Sequence, residues 1–399
     1  MCFVGWWVSR WGSAPARVCV VCRLNADWVT PMRLALAVVA ASATPPPQDC
    51  ASLPRAAFEP LSLKNANGLE LQLLPYGGTA QSLRVPQPGG APPLDVLLGF
   101  DDPLDYCTGG VNGQHPYFGA LIGRVANRIA RCTFSLGPAT YDTPCNEYQA
   151  ATGLNDTLHG GTIGYDRRAW AFQRRSPASV ELTLASPDGE MGFPSDLSLS
   201  VVHTLRDGAA PGAHGVWDLQ WTIKNVGALP TPVAPTMHAY FMLSGFKGED
   251  TVLAHVLQMA NATRYEAVDA GLIPTGELVD VTKEQRWMDF TAPKALGRDF
   301  PLPSGAAGYD NAWLFASGGK TFVPQASLFA PASGLRMVTW TDAPSVQVYT
   351  GNFLNATGPT QIVKKRSQRF PGQGAFYPQH SAITFEAQEY IGAANIPAL

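Results

Sequence analysis

Hydrophobic positions recur at every second residue over long stretches of this chain. Leu69, Leu71 and Leu73 alternate with Glu70 and Gln72, and Val180, Leu182 and Leu184 alternate with Glu181 and Thr183. Leu197, Leu199, Val201 and Leu205 share one face of a third run; Trp217, Leu219, Trp221 and Ile223 alternate with Asp218, Gln220 and Thr222 in a fourth. Successive side chains on a strand point to opposite faces, so a period of two predicts half-buried strands with one face on a core. Turn-forming residues punctuate the runs at Tyr76-Gly77-Gly78, Pro187-Asp188-Gly189 and Asn225-Val226-Gly227. No helical period persists beyond about two or three turns, and no fixed repeat is present. The pattern predicts an all-β chain folded as a large antiparallel β-sandwich.

Two strand-like segments carry a polar residue where the pattern is otherwise apolar. In PTMHAYFML (Pro235 to Leu243), alternation places Met237, Ala239, Phe241 and Leu243 on one, wholly apolar face. Thr236, His238, Tyr240 and Met242 fall on the other, so His238 is expected opposite the core beside a hydroxyl and a phenol. In ITFEAQ (Ile383 to Gln388), Ile383 and Phe385 would point inward, with Thr384, Glu386 and Gln388 on the opposite face. By pattern alone each residue keeps a structural and a functional reading, and an ordinary glutamate is exposed.

Composition narrows the class. With 399 residues, 46% of them hydrophobic, the chain can bury a large core, while 39 glycines, 34 prolines and only 15% charged residues favour strands and turns over long solvated helices. A net charge of -3 and the lack of any Lys/Arg cluster interleaved with aromatics argue against a nucleic-acid partner or an anionic membrane surface. No apolar run is long enough to span a bilayer. A shorter one follows Met32 and Arg33: LALAVVAASA, closing on Ala41-Ser42-Ala43, has the order of a secretory signal peptide. The chain thus divides into a leader over residues 1–43 with the signal peptide at 32–43, a proline-rich linker over 44–59, and one domain over 60–399. Secretion is the expected localisation, with a cytoplasmic one as the alternative. Past the leader, Cys50, Cys107, Cys132 and Cys145 permit two disulfides without specifying the pairing. Cys19-x-x-Cys22 has no second pair and is not read as a zinc site. Three N-x-[ST] sequons begin at Asn155, Asn261 and Asn355, about as many as chance supplies.

The familiar cofactor and nucleophile motifs are missing: no G-x-G-x-x-G on a strand–helix turn, no P-loop, no G-x-S-x-G, no H-E-x-x-H. The expectation is therefore a site without nucleotide cofactor or metal. Three loops hold the remaining chemistry. GRVANRIA brings Arg124, Asn127 and Arg128 close together; LHGG sets His159 before a glycine pair that would let backbone approach a ligand; GYDNAWLF puts Asp310 near Trp313, an acceptor beside a flat apolar face. Donors, acceptors and aromatics of this kind suit a neutral polyhydroxyl ligand such as a sugar.

Taken in order, VLLGFDDPLDY, YFGALIGRVANRIA, LHGG, SPDGEMGFPSDL, TPVAPTMHAYFML, IPTGELVDV, GYDNAWLF, VYTGNFL and ITFEAQ make the chain resemble the aldose 1-epimerase (galactose mutarotase) family from about Leu61 to Pro397. The resemblance implies a mutarotase-like supersandwich with a sugar cleft, and an isomerase that needs neither cofactor nor metal. It implies Glu386 as the base that takes the anomeric proton and His238 as the acid at the ring oxygen, the first ionised and the second protonated. Asn127, Arg128, His159 and Asp310 would then hold sugar hydroxyls. Two competing readings stay open: an epimerase of a hexose phosphate, and a carbohydrate-binding protein without catalysis. Met242, where relatives commonly have a polar residue, is expected to deprive His238 of a polar neighbour, and Asn311 stands where a histidine usually follows the aspartate.

Overall fold

The computed structural model describes residues 3–7, 17–25 and 49–396, apart from Pro211 and Lys320. The segment read as a signal peptide, 32–43, lies outside the described residues. The four alternating runs form the strands Glu70–Leu74, Ser179–Ser186, Leu197–Arg206 and Gly215–Asn225. The turn-forming triplets fall at or just past their ends, and the only α-helix among the described residues is the single turn Asp105–Thr108.

Most strands fall into three sheets. A ten-stranded sheet runs Ala171–Ser176, Ser179–Ser186, Leu197–Arg206, Gly215–Asn225, Phe3–Trp7, Leu335–Thr341, Val323–Ala330, Val256–Gln258 and Lys294–Ala295. Phe3–Trp7 bridges its neighbours antiparallel, and the tenth strand, Arg17–Asn25, pairs parallel with the same two neighbours. A six-stranded sheet follows the order Tyr240–Phe241, Ile383–Gln388, Ser345–Tyr349, Asp310–Leu314, Arg264–Val268 and Pro274–Asp280, and a four-stranded sheet covers Leu61–Asp95. One core joins all three: Leu71 and Leu83, Leu199, Trp217 and Trp221, and Trp313, Val346, Val348 and Phe385 belong to a single buried cluster. Each such side chain taken fully out of water contributes about 1.5–3 kcal/mol, which is why the alternating positions dictate which face turns inward.

The stretch around His238 departs from the continuous strand that alternation predicts. Thr236–Met237 pairs with Leu121–Ile122, whereas Tyr240–Phe241 pairs with Ile383–Thr384 in the six-stranded sheet. His238 sits in the break, its own N–H donating to Ala120 O and its carbonyl accepting from Gly119 N, each at 2.9 Å. The backbone groups left free where the strand changes partners are thus satisfied by the Gly119–Ala120 segment. Both faces are covered: Thr236, Tyr240 and Met242 are as buried as Phe241 and Leu243. Met242 packs in the core, its N–H donating to Val96 O, and it does not reach the histidine's side of the cleft. The expected missing polar neighbour is therefore no feature of the site.

The two disulfides left open by the sequence join Cys50 to Cys107 and Cys132 to Cys145.

Candidate active site

Three neighbouring strands of the six-stranded sheet build the floor of a cleft. Gln347 lies opposite Glu386, Tyr349 lies opposite both Thr384 and Asp310, and paired residues share a face. Thr384, Glu386, Gln347, Tyr349 and Asp310 therefore point to one side, with Phe385, Val346, Val348 and Trp313 on the core side. Trp313 is three positions from Asp310, an odd step along a strand, and so falls on the opposite face. It is fully buried, with its indole N–H donating to Met288 O at 3.1 Å, and gives the cleft no aromatic wall. That wall comes instead from Tyr117, Tyr240, Tyr349 and the largely exposed Phe353.

The cleft has a volume of about 240 Å³ and is lined by Asn127, Arg128, His159, His238, Asp310 and Glu386, together with Glu147, Gln347 and the four aromatics. All six residues that the family resemblance assigned to the site meet here, although they are spread over some 260 positions of chain. Four lining groups the sequence did not single out are Tyr117, Glu147, Gln347 and Tyr349. Gln347 and Tyr349 carried a signal, since SVQVY alternates and places both on one face. Glu147 carried none.

Arg124 is not part of the site. Its guanidinium is buried and donates to Ser186 Oγ and O, Pro187 O, Pro194 O and Thr231 Oγ1 at 2.7–3.1 Å, which makes it a structural tie between loops. The glycine pair after His159 likewise serves the chain and not a ligand: a Cβ on Gly160 would lie 2.0 Å from Gly123 O. The positive φ angles of Asn127 (59°) and His159 (52°) mark a tightly turned site backbone. His159 Nδ1 accepts from Asn127 N at 3.1 Å, which leaves the ring's Nε2 as the proton-bearing nitrogen of the neutral imidazole.

His238 Nε2 lies 3.3 Å from Glu386 Oε1. Thr384 Oγ1 also donates to that oxygen at 3.0 Å, while Glu386 Oε2 has no hydrogen-bond partner among the described residues. An unpaired carboxylate oxygen in so buried a position is costly and is the natural acceptor for a ligand hydroxyl. Asp310 accepts from Gln347 Nε2 at 2.7 Å. The rings of Tyr117, His159, Tyr240 and Tyr349 surround His238 at centroid distances of 5.9, 5.1, 5.0 and 6.5 Å.

The electrostatics differ from the expectation of an ionised glutamate beside a protonated histidine. Burial pushes His238 down to about 3, and burial, with the nearby Asp310 charge, pushes Glu386 up to about 8, partly opposed by Thr384 and Arg128. Low-dielectric surroundings disfavour both charges and so bias the pair toward neutral imidazole and neutral carboxyl. The ion pair holds the same number of protons and is reached by moving one proton across 3.3 Å. His159 is also held well below its ordinary value, by burial and then by His238 and Arg128.

His159, His238 and Glu386 offer one donor atom each within 4.8 Å of one another. A tetrahedral zinc with bonds of about 2.0–2.2 Å wants its donors roughly 3.5 Å apart, so a donor set as open as this would have to close around an ion. The direct His238–Glu386 contact instead suits proton transfer.

The aldose 1-epimerase family model matches residues 59–398. A probable aldose 1-epimerase of Arthroderma benhamiae is 31% identical over 360 residues, covering 83% of this chain and 79% of its own. The galactose mutarotase of Bos taurus is 35% identical over 330 residues, covering 82% and 85%. Among solved structures, a GalM/aldose epimerase homologue from C. elegans superposes with a TM-score of 0.69 at 26% identity over 85% of this chain and 92% of its own. With its sandwich and its buried His–Glu cleft, the chain belongs to the aldose 1-epimerase family.

Proposed function

We propose that this chain is a mutarotase, an isomerase that interconverts the α and β anomers of free hexoses such as glucose and galactose. The observation that carries the reading is the contact of His238 with Glu386 at the base of the cleft, with Glu386 Oε2 free to accept. Glu386 takes the proton of the anomeric hydroxyl while His238 Nε2–H protonates the ring oxygen, and the C1–O5 bond opens to the aldehyde. Rotation about C1–C2 and closure on the other face return both protons. One acid and one base suffice, and each contributes about 10²–10⁴-fold. Arg128, Asn127 and His159 donate to sugar hydroxyls, Asp310 accepts from one, and the tyrosine rings pack against C–H faces.

The charge of the lining favours a neutral sugar over a hexose phosphate. Among the described lining residues Arg128 is the one Lys or Arg, and Glu147 already occupies it, so no free cation is left to hold a dianion. Polarimetry of freshly dissolved α-D-glucose and α-D-galactose tests the reading: the protein should accelerate the approach to equilibrium rotation. Sugar binding without acceleration would instead make it a carbohydrate-binding protein, and acceleration confined to a 6-phosphate would make it a sugar-phosphate epimerase.

A pH dependence follows from the shared proton. Above about 8 the pair loses its mobile proton and no acid remains; below about 3 it carries two and no base remains. kcat/KM is expected to be flat from about pH 5 to 7 and to fall about tenfold per unit well above 8. A profile that instead rises through about pH 8–9 would show that the pair works without that proton.

Export from the cytoplasm is the localisation we propose. The two disulfides, Cys50–Cys107 and Cys132–Cys145, suit an oxidising compartment. N-terminal sequencing of protein from its native source should find a start near Thr44, a cut that would take Phe3–Trp7 and Arg17–Asn25 out of the ten-stranded sheet; an intact Met1 would overturn the proposal.

A further inference from the structure

Arg128 does not stand alone in the cleft. Its Nε donates to Glu147 Oε2 at 2.8 Å and its Nη2 to Glu147 Oε1 at 2.9 Å, so the carboxylate grips one side edge of the guanidinium in a two-point fork. Nη1 donates to Asn127 Oδ1 at 3.3 Å. Three of the five guanidinium N–H groups are thereby used, and the two that remain, one on each terminal nitrogen, form the end edge. Arginine presents that edge as a rigid pair of donors, well matched to two neighbouring sugar hydroxyls. The orientation of the end edge is set by whatever holds the side edge.

Backbone pairing holds Glu147 to the strand of Arg128 only through a third strand. Glu147–Gln149 and Arg128–Ile129 are the two outer strands of a three-stranded ribbon with Leu154–Leu158 between them, so no backbone hydrogen bond joins the strand of Glu147 to that of Arg128. None of the three residues of Glu147–Gln149 is buried, and Tyr148 beside Glu147 is 64% exposed. The covalent tie between the two outer segments is the Cys132–Cys145 disulfide. Cys132 follows Arg128 by four positions and Cys145 precedes Glu147 by two. Thr143 N and Oγ1 donate to Cys132 O next to the same link, at 2.7 and 3.0 Å. Cys145 is exposed and so open to a thiol reagent.

We propose that Glu147 is a positioning residue that sets sugar affinity by orienting Arg128, and that the Cys132–Cys145 disulfide makes this affinity dependent on oxidation state. The inference rests on the mutarotase reading for its kinetics but not for its binding measurement. A dithiol such as dithiothreitol would act in two steps. Its thiolate attacks Cys145 Sγ and releases Cys132 as a thiolate, which takes a proton. The reagent's second thiol then displaces Cys145 and closes a cyclic disulfide. Two electrons and two protons pass to the protein, leaving two cysteine thiols.

The test compares wild type, Glu147→Gln, Cys132→Ser/Cys145→Ser and Cys50→Ser/Cys107→Ser for kcat and KM by polarimetry and for the Kd of D-galactose by calorimetry. Glu147→Gln would set an amide N–H₂ against an arginine N–H, so KM and Kd should rise about tenfold while kcat changes by no more than about twofold. Reduction should raise Kd in the wild type and in Cys50→Ser/Cys107→Ser, reversibly on reoxidation, but not in Cys132→Ser/Cys145→Ser. Adding Glu147→Gln to Cys132→Ser/Cys145→Ser should cost little more, because both act through one contact. A Glu147→Gln protein with unchanged Kd, or with kcat reduced as much as affinity, overturns the proposal even if the cysteine variants do not fold. A wild type that binds galactose without turning it over would defeat the mutarotase reading and leave the affinity comparison intact.

Discussion

Replacing Glu386 with glutamine is expected to lower kcat for mutarotation by about 10²–10⁴-fold while leaving galactose affinity within a few-fold of wild type. The amide keeps the size of the carboxyl and a hydrogen-bond acceptor for Thr384, but it neither takes the anomeric proton nor exchanges one with His238 across 3.3 Å. His238→Ala should cost a similar factor, since the ring oxygen then leaves as an unprotonated alkoxide. Because one proton serves both residues, the double variant should be little slower than the worse single variant. Polarimetry of the three proteins at fixed pH measures this directly. A Glu386→Gln enzyme within about tenfold of wild type would remove Glu386 from the chemistry, and multiplicative losses in the double variant would mean the two act independently.

Arg124→Met should have the largest effect on stability. Arg124 is 2% exposed, and its guanidinium donates to three backbone carbonyls and two hydroxyls drawn from Ser186, Pro187, Pro194 and Thr231. Methionine fills much of the volume but satisfies none of them. At about 1–3 kcal/mol for each buried acceptor left unpaired, a loss on the order of 3–5 kcal/mol is expected once the loops have relaxed. It should appear as a lower denaturant midpoint with an unchanged slope. Sugar affinity of the folded fraction should hold, because Arg124 does not line the cleft. Arg124→Lys should recover only part of the loss, as one ammonium has fewer donors and no planar fork. An unchanged midpoint for Arg124→Met would show that water satisfies these carbonyls as well as arginine does.

Arg124 and Arg128 of GRVANRIA have different fates in the fold. Four residues apart and similar in context, they look equivalent; in the fold one ties loops together beneath the surface and the other opens onto the cleft. LHGG is similar. The histidine lines the cleft, but the first of its glycines, Gly160, is required by the approach of Gly123, a contact with a residue 37 positions earlier. Trp313 is the opposite case, because its face was legible: an odd step from Asp310 on one strand already put it with the core.

What the sequence determined by itself is what period two governs: where the strands run, which residues share a face, and that His238 and Glu386 each lie opposite an apolar set. Its ordered motifs also placed six lining residues of the cleft. Tertiary structure decided whether those opposite faces meet solvent or another layer, and here they meet another layer. That closure buries both members of the proposed acid–base pair and drives each toward its neutral form, because desolvation depends on everything packed around a group and not on its neighbours in the chain. It also brought Glu147 onto Arg128 and paired Cys132 with Cys145, contacts fixed by the path of a short ribbon and encoded by no local pattern.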